Sequence, residues 1–267
     1  MLIVASEEEH RSADFDLDPE VMAALWRMEE RHFWHRARNV WIARVLRHYG
    51  ALAPAKVLEV GCGSGAVAGH LQSLGYSVVG VDTAAPLVRK GHERFPAVTF
   101  IVGRAGQVDP TLGPFDVLGF FDVLEHLDDP AALLREALPY ARPGALVVAT
   151  VPALQSLYSV VDALSGHKRR YERGELTDLF ARVGLAETVE HGLFRTLRPL
   201  MGARRSSSAP PTDPDARRRI LIDDTKVPFS PLNALLLTAC SAEARIGVGW
   251  SKGKNGPTLL AIGRTPS

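Results

Sequence analysis

Hydrophobic positions recur at two different spacings along the chain. In the first fifty residues apolar side chains return every three or four positions, as at Val21, Leu25 and Met28, which predicts amphipathic helices beginning near Asp18. After Pro54 short β-branched runs alternate with helical stretches. That alternation is typical of βαβ units, so the pattern predicts an α/β protein with a doubly wound, mostly parallel sheet.

The same pattern gives the order of the predicted elements. Strands are expected at residues 56–61, 77–82, 98–103, 115–121, 145–151, 185–191 and 257–264. Helices are expected at residues 64–74, 84–94, 130–140, 172–183, 193–201 and 232–246, and glycine or proline stands near most of their ends.

The connection between the last two predicted strands is about sixty residues long, far more than a compact domain needs. It carries the helical pieces 193–201 and 232–246, separated by residues 203–211, which are rich in serine and proline and predict a loop. Four units are therefore expected: an N-terminal helical cap (1–52), a core (53–192), a helical insert or lid (193–255), and a last core strand with a tail (256–267).

Composition narrows the class of protein. The chain is 46% hydrophobic and 23% charged, with a formal net charge of +1, which argues against a dedicated nucleic-acid binder and favours a small-molecule partner. Its two cysteines form no closely spaced set with histidines, so no metal site is predicted and a cytoplasmic setting is expected. Apolar runs such as 145–151 are too short to span a bilayer, and no signal peptide is expected. Nothing in the sequence indicates the oligomeric state.

The segment that runs from Glu59 to Gly65 leads from a buried strand through a glycine turn into a helix. Its glycines also satisfy the dinucleotide pattern G-x-G-x-x-G/A through Ala66, with Asp82 about 20 residues on. Both cofactor interpretations place Asp82 on ribose hydroxyls, whereas a tight turn beside an unrelated surface acid is the structural alternative. The carboxylate of Glu59 would repel a pyrophosphate but suits a cationic ligand, and no Tyr-x-x-x-Lys pair is present.

Four blocks carry a family resemblance. They are Glu59-Val60-Gly61-Cys62-Gly63-Ser64-Gly65, the acid Asp82, Asp122-Val123-Leu124-Glu125-His126-Leu127, and Arg142-Pro143-Gly144. In this order they resemble class I methyltransferases that use S-adenosylmethionine (SAM), of the type 11 and ubiquinone-biosynthesis kind. The resemblance covers about residues 30 to 192. It implies SAM as the cofactor and a Rossmann-like, seven-stranded sheet with six parallel strands and an antiparallel last strand.

The resemblance also implies a donor site. Gly61, Gly63 and Gly65 would approach the methionyl part of SAM, Asp82 would hold the ribose, and Phe121 would supply a backbone contact to the amino group. Where relatives often carry an acid that meets the adenine amine, this chain has Arg104, so backbone groups near Ala105 are expected to replace it. The full predicted donor site is Trp34, Arg38, Glu59, Gly61, Cys62, Gly63, Gly65, Asp82, Thr83, Ala105, Phe121 and Asp122.

Residues 32–38 resemble an N-terminal block in which an aromatic residue and an arginine cover the cofactor. Arg38 is expected to clamp the SAM carboxylate, since a guanidinium pairs with carboxylates through two hydrogen bonds. The alternative is a solvated amphipathic helix with Trp34 buried in the core.

The acceptor side is predicted in the loop after the fifth strand, where Gly-His-Lys-Arg-Arg-Tyr (residues 166–171) matches the same branch. His167 is the candidate general base, with fixing of the loop as the equally weighted alternative. Tyr171 and His126 are expected to orient the substrate or to be structural. Lys168, Arg169 and Arg170 would meet an anionic acceptor or simply be solvated.

The function predicted from these residues is methyl transfer to a small, hydrophobic acceptor, aromatic or isoprenoid-like, with specialised metabolism as one setting for it. Insert side chains would form an apolar lid over its pocket, although core packing explains them equally well: Phe194, Leu197, Leu200, Leu235 and Leu236. Two rival functions stay open. One is an NAD(P)-dependent oxidoreductase, and the other is a SAM-binding protein without catalysis.

Overall fold

The computed structural model describes residues 1–5, 18–197 and 209–267, and its centre is one eight-stranded sheet. The strands are β1 (Leu2–Val4), β2 (Lys56–Val60), β3 (Ser77–Asp82), β4 (Thr99–Val102), β5 (Phe115–Phe121), β6 (Ala141–Pro152), β7 (Ala186–Leu193) and β8 (Thr258–Arg264). Their spatial order is β1-β4-β3-β2-β5-β6-β8-β7. Among these strands, β8 runs antiparallel to its neighbours, β6 and β7. The α/β fold and the antiparallel last strand are thus confirmed.

The predicted count of seven strands was one short. The additional strand, β1, pairs in parallel with β4 at the edge of the sheet, with Ile3 opposite Ile101. Three residues are too few to show a period-two pattern, so the apolar opening of the chain gave no strand signal. The other seven strands lie where they were predicted, with ends shifted by a few residues, most at the start of β6.

Helices cover both faces of the sheet. They are α1 (Pro19–Arg31), α2 (Phe33–His48), α3 (Ala66–Ser73), α4 (Ala85–Arg94), α5 (Pro130–Ala137), α6 (Val160–Leu164), α7 (Glu175–Arg182), α8 (Pro214–Asp224), α9 (Ser230–Ile246) and α10 (Val248–Ser251). The predicted start at Asp18 is confirmed, because its carboxylate accepts hydrogen bonds from the backbone of Glu20 and Val21.

Two hydrophobic clusters lie on the two faces of the sheet. Alternation along β2 separates them, since Val57 packs into one cluster and Leu58 into the other. The first cluster includes Trp41 of α2 and Cys240 of α9, and the second includes Phe180 of α7. Helix α2 is therefore a layer of the core. The carboxyl ends of the parallel strands remain available to build a site.

The predicted division of the chain into four units stays a prediction.

The insert differs from its prediction. Strand β7 extends to Leu193 where a helix was expected, a short 3-10 turn follows at Arg195–Leu197, and α8 was not predicted at all. Its start follows the same rule as α1, since Asp213 caps the helix just before Pro214. Residues 198–208 lie outside the described residues, and with them Leu200, the end of the first predicted helical piece and most of the predicted loop.

No helix within the described part of the chain combines the length and hydrophobicity needed to cross a bilayer.

Candidate functional site

The glycine turn after β2 contains three residues in the left-handed region, with φ of +76° at Gly61, +50° at Gly63 and +74° at Gly65. A Cβ at Gly61 would come within 2.4 Å of Val123, and one at Gly65 within 2.4 Å of Phe100. At Gly63 a Cβ would meet no heavy atom of the described residues within 4 Å. Gly61 and Gly65 thus serve packing as well as conformation, whereas Gly63 opens onto free space where a ligand can approach its backbone.

Asp82 ends β3 beside this turn. One carboxylate oxygen accepts a hydrogen bond from the Gly63 N–H at 2.8 Å, and the other accepts one from the Ala84 N–H at 2.8 Å. Burial raises the pKa of Asp82 above its ordinary value, although these N–H donors act in the opposite direction. A carboxylate has about four acceptor positions, so this one can still take a further donor such as a hydroxyl group. Thr83 follows at the same edge and is partly exposed.

Glu59 is a buried acid beneath the turn, with 2% of its surface exposed. Its Oε2 has no hydrogen-bond partner among the described residues. Burial raises the pKa of Glu59 to about 8, and the negative charges of Asp82 and Glu29 act in the same direction. The positive charge of Arg38 lowers this pKa, but by less than burial raises it. Glu59 is therefore a neutral acid at the base of the turn below that pH.

This shifted acid predicts a pH-dependent stability. The pKa of Glu59 is about 8 in the folded chain and 4.5 ordinarily. Between pH 4.5 and pH 8 the folded chain therefore keeps a proton on Glu59 that the unfolded chain has lost. The free energy of unfolding should therefore fall as pH rises through this window, by at most about 1.4 kcal/mol per pH unit. Urea denaturation of wild type and Glu59→Gln from pH 5 to pH 8 measures it. The variant should lack this part of the slope, and parallel slopes would contradict the prediction.

Arg38 of α2 reaches across to Asp122, which follows β5, and the two side chains form an ion pair. Asp122 also accepts a hydrogen bond from the Thr150 hydroxyl at 2.9 Å, and its φ of +54° is unusual for a residue other than glycine. Against the effect of burial, Arg38 holds the pKa of Asp122 below its ordinary value. Both predicted donor residues thus lie together at the carboxyl end of β5, and Arg38 is buried there.

The remaining predicted donor residues are spread around the same edge. Trp34 packs against Phe194 with ring centroids 4.2 Å apart, so both alternatives for it, covering a ligand and packing in the core, stay open. Phe121 and Ala105 are buried, at the end of β5 and after β4. Cys62 is buried within the turn, and burial raises the pKa of its thiol well above the ordinary value.

A network that sequence reasoning missed ties α1 to the glycine turn. The Ser64 hydroxyl donates to the Glu29 carboxylate, and Arg94 donates to the same carboxylate and to Ser64 Oγ, each at 2.8 Å. These residues are 30 to 65 positions apart in sequence. No local spacing rule therefore reports the network, which holds α1 against the turn.

The loop between β6 and α7 is organised by Asp162, which is 2% exposed. Its carboxylate accepts hydrogen bonds from His167 Nδ1 and from Arg170 Nε and Nη2, all at 2.9 Å, and from the Ser159 N–H at 2.8 Å. Although burial opposes it, these donors hold the pKa of Asp162 well below its ordinary range. An ionised Asp162 places the proton of the His167 ring on Nδ1 and leaves the lone pair on Nε2.

His126 lies beside this loop. Its ring stands at 87° to that of His167 with centroids 4.8 Å apart. Burial first, and then the neighbouring His167, lower the pKa of His126 to about 4, so its ring is neutral at physiological pH.

Tyr171 is buried, and its hydroxyl donates to the Leu124 carbonyl at 3.2 Å, while burial raises its pKa to about 12. In this arrangement the hydroxyl is directed at the main chain, and a substrate-orienting role for it stays a prediction.

The basic run beside His167 is used within the loop. Lys168 forms an ion pair with Asp128, Arg169 donates to the Leu127 carbonyl at 2.9 Å, and Arg170 binds Asp162. The contacts of Lys168 and Arg169 join the loop to the segment after β5, so these basic side chains are not simply solvated. Binding of an anionic acceptor by them stays a prediction.

A cavity of about 580 Å³ lies between α1, α8 and the start of α9, lined among others by Ala24, Arg31 and Ile222. At 100° per residue, Ala24 and Arg31 share one face of α1 and Glu29 points from the other. Because Glu29 binds the glycine turn, α1 separates this cavity from the turn.

Comparisons with known proteins agree with this geometry. A family model described as a methyltransferase domain matches residues 33–191. The Ubiquinone biosynthesis O-methyltransferase of Acinetobacter baylyi is 31% identical over 133 residues, which cover 47% of this chain and 56% of that protein. A probable S-adenosylmethionine-dependent methyltransferase of Mycolicibacterium smegmatis is 27% identical over 169 residues, or 62% and 65%. The chain thus spans less than two thirds of the length of these relatives.

Solved structures share the fold. The plantazolicin methyltransferase BamL, solved with a triazolic desmethylPZN analog and SAH, has a TM-score of 0.57 at 15% identity over 94% of this chain and 92% of its own. The phosphoethanolamine N-methyltransferase 2 of Haemonchus contortus, solved with S-adenosyl-L-methionine, has a TM-score of 0.52 at 16% identity, over 85% and 52%.

Proposed function

This chain belongs to the methyltransferase domain family, and on that premise we propose that it transfers the methyl group of SAM to a small, largely apolar acceptor. The cofactor predicted from the sequence agrees with this membership and with relatives named for SAM dependence. The proposal has three further parts: the activity belongs to the whole protein, the acceptor is small and apolar, and the reaction is part of specialised metabolism.

The open face of Gly63 beside Asp82 is the observation that carries the proposal. Free space at Gly63 would let a ligand lie against its backbone, and the carboxylate of Asp82 beside it would then accept hydrogen bonds from the hydroxyls of a ribose. Buried Glu59 has an oxygen without a partner among the described residues, and a bound cation would favour its ionised form, whereas a pyrophosphate would oppose it. SAM fits this set of residues better than NAD(P) does.

The proposed donor site keeps the residues predicted from the sequence. Asp82 holds the ribose, and Arg38 and Asp122 bind the carboxylate and amino group of the methionyl part as a pre-paired cation and anion. The backbone near Ala105 and Phe121 completes the adenine and amino contacts. Trp34, Cys62 and Thr83 line the remainder.

When bound, SAM supplies a methyl group made electrophilic by its sulfonium. The residues of the chain then have mainly a positioning task, because holding an acceptor atom in line with that methyl makes the step effectively unimolecular. Helix α8 contacts α1 on one side and α6 of the Asp162 loop on the other, so it bridges the N-terminal cap and the acceptor loop. Its run Ile220-Leu221-Ile222 is the apolar part of the proposed lid.

Cofactor titration tests the proposal. Calorimetry should detect binding of SAM and S-adenosylhomocysteine, and NADH or NADPH fluorescence should not change on adding the protein. Labelled SAM incubated with a panel of phenols, isoprenoid quinols and amines then identifies the acceptor. Nicotinamide binding without SAM binding would favour an oxidoreductase, and SAM binding without transfer to any acceptor would favour a binding protein.

His167→Ala should lower methyl transfer by at least about tenfold while leaving SAM affinity within about twofold. The physical reason is position: Asp162 fixes the ring in the acceptor loop, on a segment separate from the glycine turn. Turnover with an identified acceptor and SAM calorimetry measure the two effects. His48→Ala, an exposed histidine on α2, is the matched control. Equal turnover in both variants would contradict an acceptor-side role.

A further inference from the structure

Glu125 is fully buried, and both of its carboxylate oxygens lack a hydrogen-bond partner among the described residues. An isolated buried carboxylate is so costly that such groups are paired, neutralised or bound to a metal ion. Glu125 has no part in the proposed donor site. Its surroundings therefore indicate what it binds.

Two histidines face this acid. Glu125, His126 and His167 each offer one ligand atom, and the three atoms lie within 4.8 Å of one another. A tetrahedral ion with bonds of about 2.1 Å separates its ligands by about 3.4 Å, so small side-chain rotations would close the set. Two imidazoles and one carboxylate form a known three-ligand set that leaves one position open.

The surrounding residues already orient the ligands. Asp162 takes the Nδ1–H of His167, which leaves Nε2 with its lone pair, as in the carboxylate–histidine–metal arrangement. The Lys168 N–H donates to the Glu125 carbonyl at 2.8 Å, so the segments that carry Glu125 and His167 are fastened together. Closely spaced Cys and His motifs miss this set, because His167 follows His126 by 41 positions and the acid by 42.

We propose that Glu125, His126 and His167 bind one divalent transition cation, and that the open position takes an oxygen of the acceptor. The second part rests on the proposed methyltransferase function. Imidazole nitrogens favour ions such as Zn²⁺ and Co²⁺ over Mg²⁺ and Ca²⁺. Two of the three ligands, Glu125 and His126, lie three and four residues after Asp122, so the cation would sit next to the donor site. There it would hold an acceptor hydroxyl and lower its pKa, so that the hydroxyl gives its proton to solvent water and its oxygen then takes the methyl group of SAM, leaving S-adenosylhomocysteine.

The experiment titrates Zn²⁺ by calorimetry into the whole chain of residues 1–267 after treatment with a chelator. Wild type should bind one equivalent. Glu125→Gln, His126→Ala and His167→Ala should each bind Zn²⁺ at least about 100-fold more weakly. Removing a residue that only hydrogen-bonds to a metal ligand already lowers metal affinity by about 10- to 100-fold, and removing a ligand should cost more. His48→Ala should bind as wild type does. Wild type that takes up no Zn²⁺, or variants that bind it equally well, would overturn the site.

Co²⁺ tests the open position. The Co²⁺ protein should show a visible spectrum that changes when acetohydroxamate, a small oxygen-donor probe, is added. A spectrum that the probe leaves unchanged would overturn the open position. SAM affinity of the metal-free protein is measured in parallel. If wild type binds SAM but not Zn²⁺, only the metal site is contradicted. If wild type does not bind SAM, the proposed function is contradicted. SAM affinity and circular dichroism of each variant show whether it has folded.

Discussion

Asp82→Ala is expected to weaken SAM binding by about 100-fold or more. A hydrogen bond to a charged group contributes about 1.5–3 kcal/mol, and the proposed ribose contact uses two of them. The change also removes the acceptors of the Gly63 and Ala84 N–H groups, so the turn loses its brace. Calorimetry with SAM and with S-adenosylhomocysteine measures the loss.

An exposed acid provides the matched control for Asp82. Asp178 lies on the exposed face of α7, so Asp178→Ala removes the same chemical group from a solvent-facing position and should leave SAM affinity unchanged. Unchanged affinity in Asp82→Ala would count against the whole donor site, because no other described carboxylate contacts the Gly63 N–H.

Gly63→Ala is expected to weaken SAM binding strongly while the chain stays folded. A Cβ here meets no heavy atom of the described residues within 4 Å, so the substitution costs the fold only the strain of a left-handed residue, about 1 kcal/mol. The added methyl group instead occupies the space in which the ligand would approach the backbone. We expect a loss in affinity of more than about 30-fold, or about 2 kcal/mol.

Gly144 offers the control with the same backbone cost. Its φ is +69°, a Cβ added there would likewise meet no described heavy atom within 4 Å, and it lies near the start of β6, away from the strand ends that build the site. Thermal unfolding should give Gly63→Ala and Gly144→Ala similar losses of stability, and only the first should lose SAM. If both retained SAM, free space at Gly63 would have no role in ligand binding.

Local patterns were sufficient for much of the fold. The strands at 77–82 and 115–121 begin and end where the sequence predicts, because their β-branched or aromatic runs are bounded by turn residues or acids. Strand β1 was missed because three residues show no period, and α8 because serine and proline upstream obscured the Asp213 cap. The glycine turn and Asp82 could be placed together because both end adjacent parallel strands.

Contacts between distant segments were beyond such reasoning. The ion pair of Arg38 with Asp122 spans 84 positions, and Glu29 reaches Ser64 across 35. The burial of Glu125 was equally hidden, since a charged residue in a short motif reads as exposed until the packing around it is known. Sequence patterns report which elements form, whereas side-chain partners depend on how those elements come together.

The bracing by Asp162 of the loop between β6 and α7, the proposed acceptor loop, has a consequence for redesign. Since its partners Ser159, His167 and Arg170 lie in the same loop, the loop carries its own internal scaffold. We therefore expect that neighbouring positions such as Val160 and Val161 can change in size without displacing the His167 ring. Libraries that aim at a new methyl acceptor should vary these neighbours and keep Asp162 and Arg170 fixed.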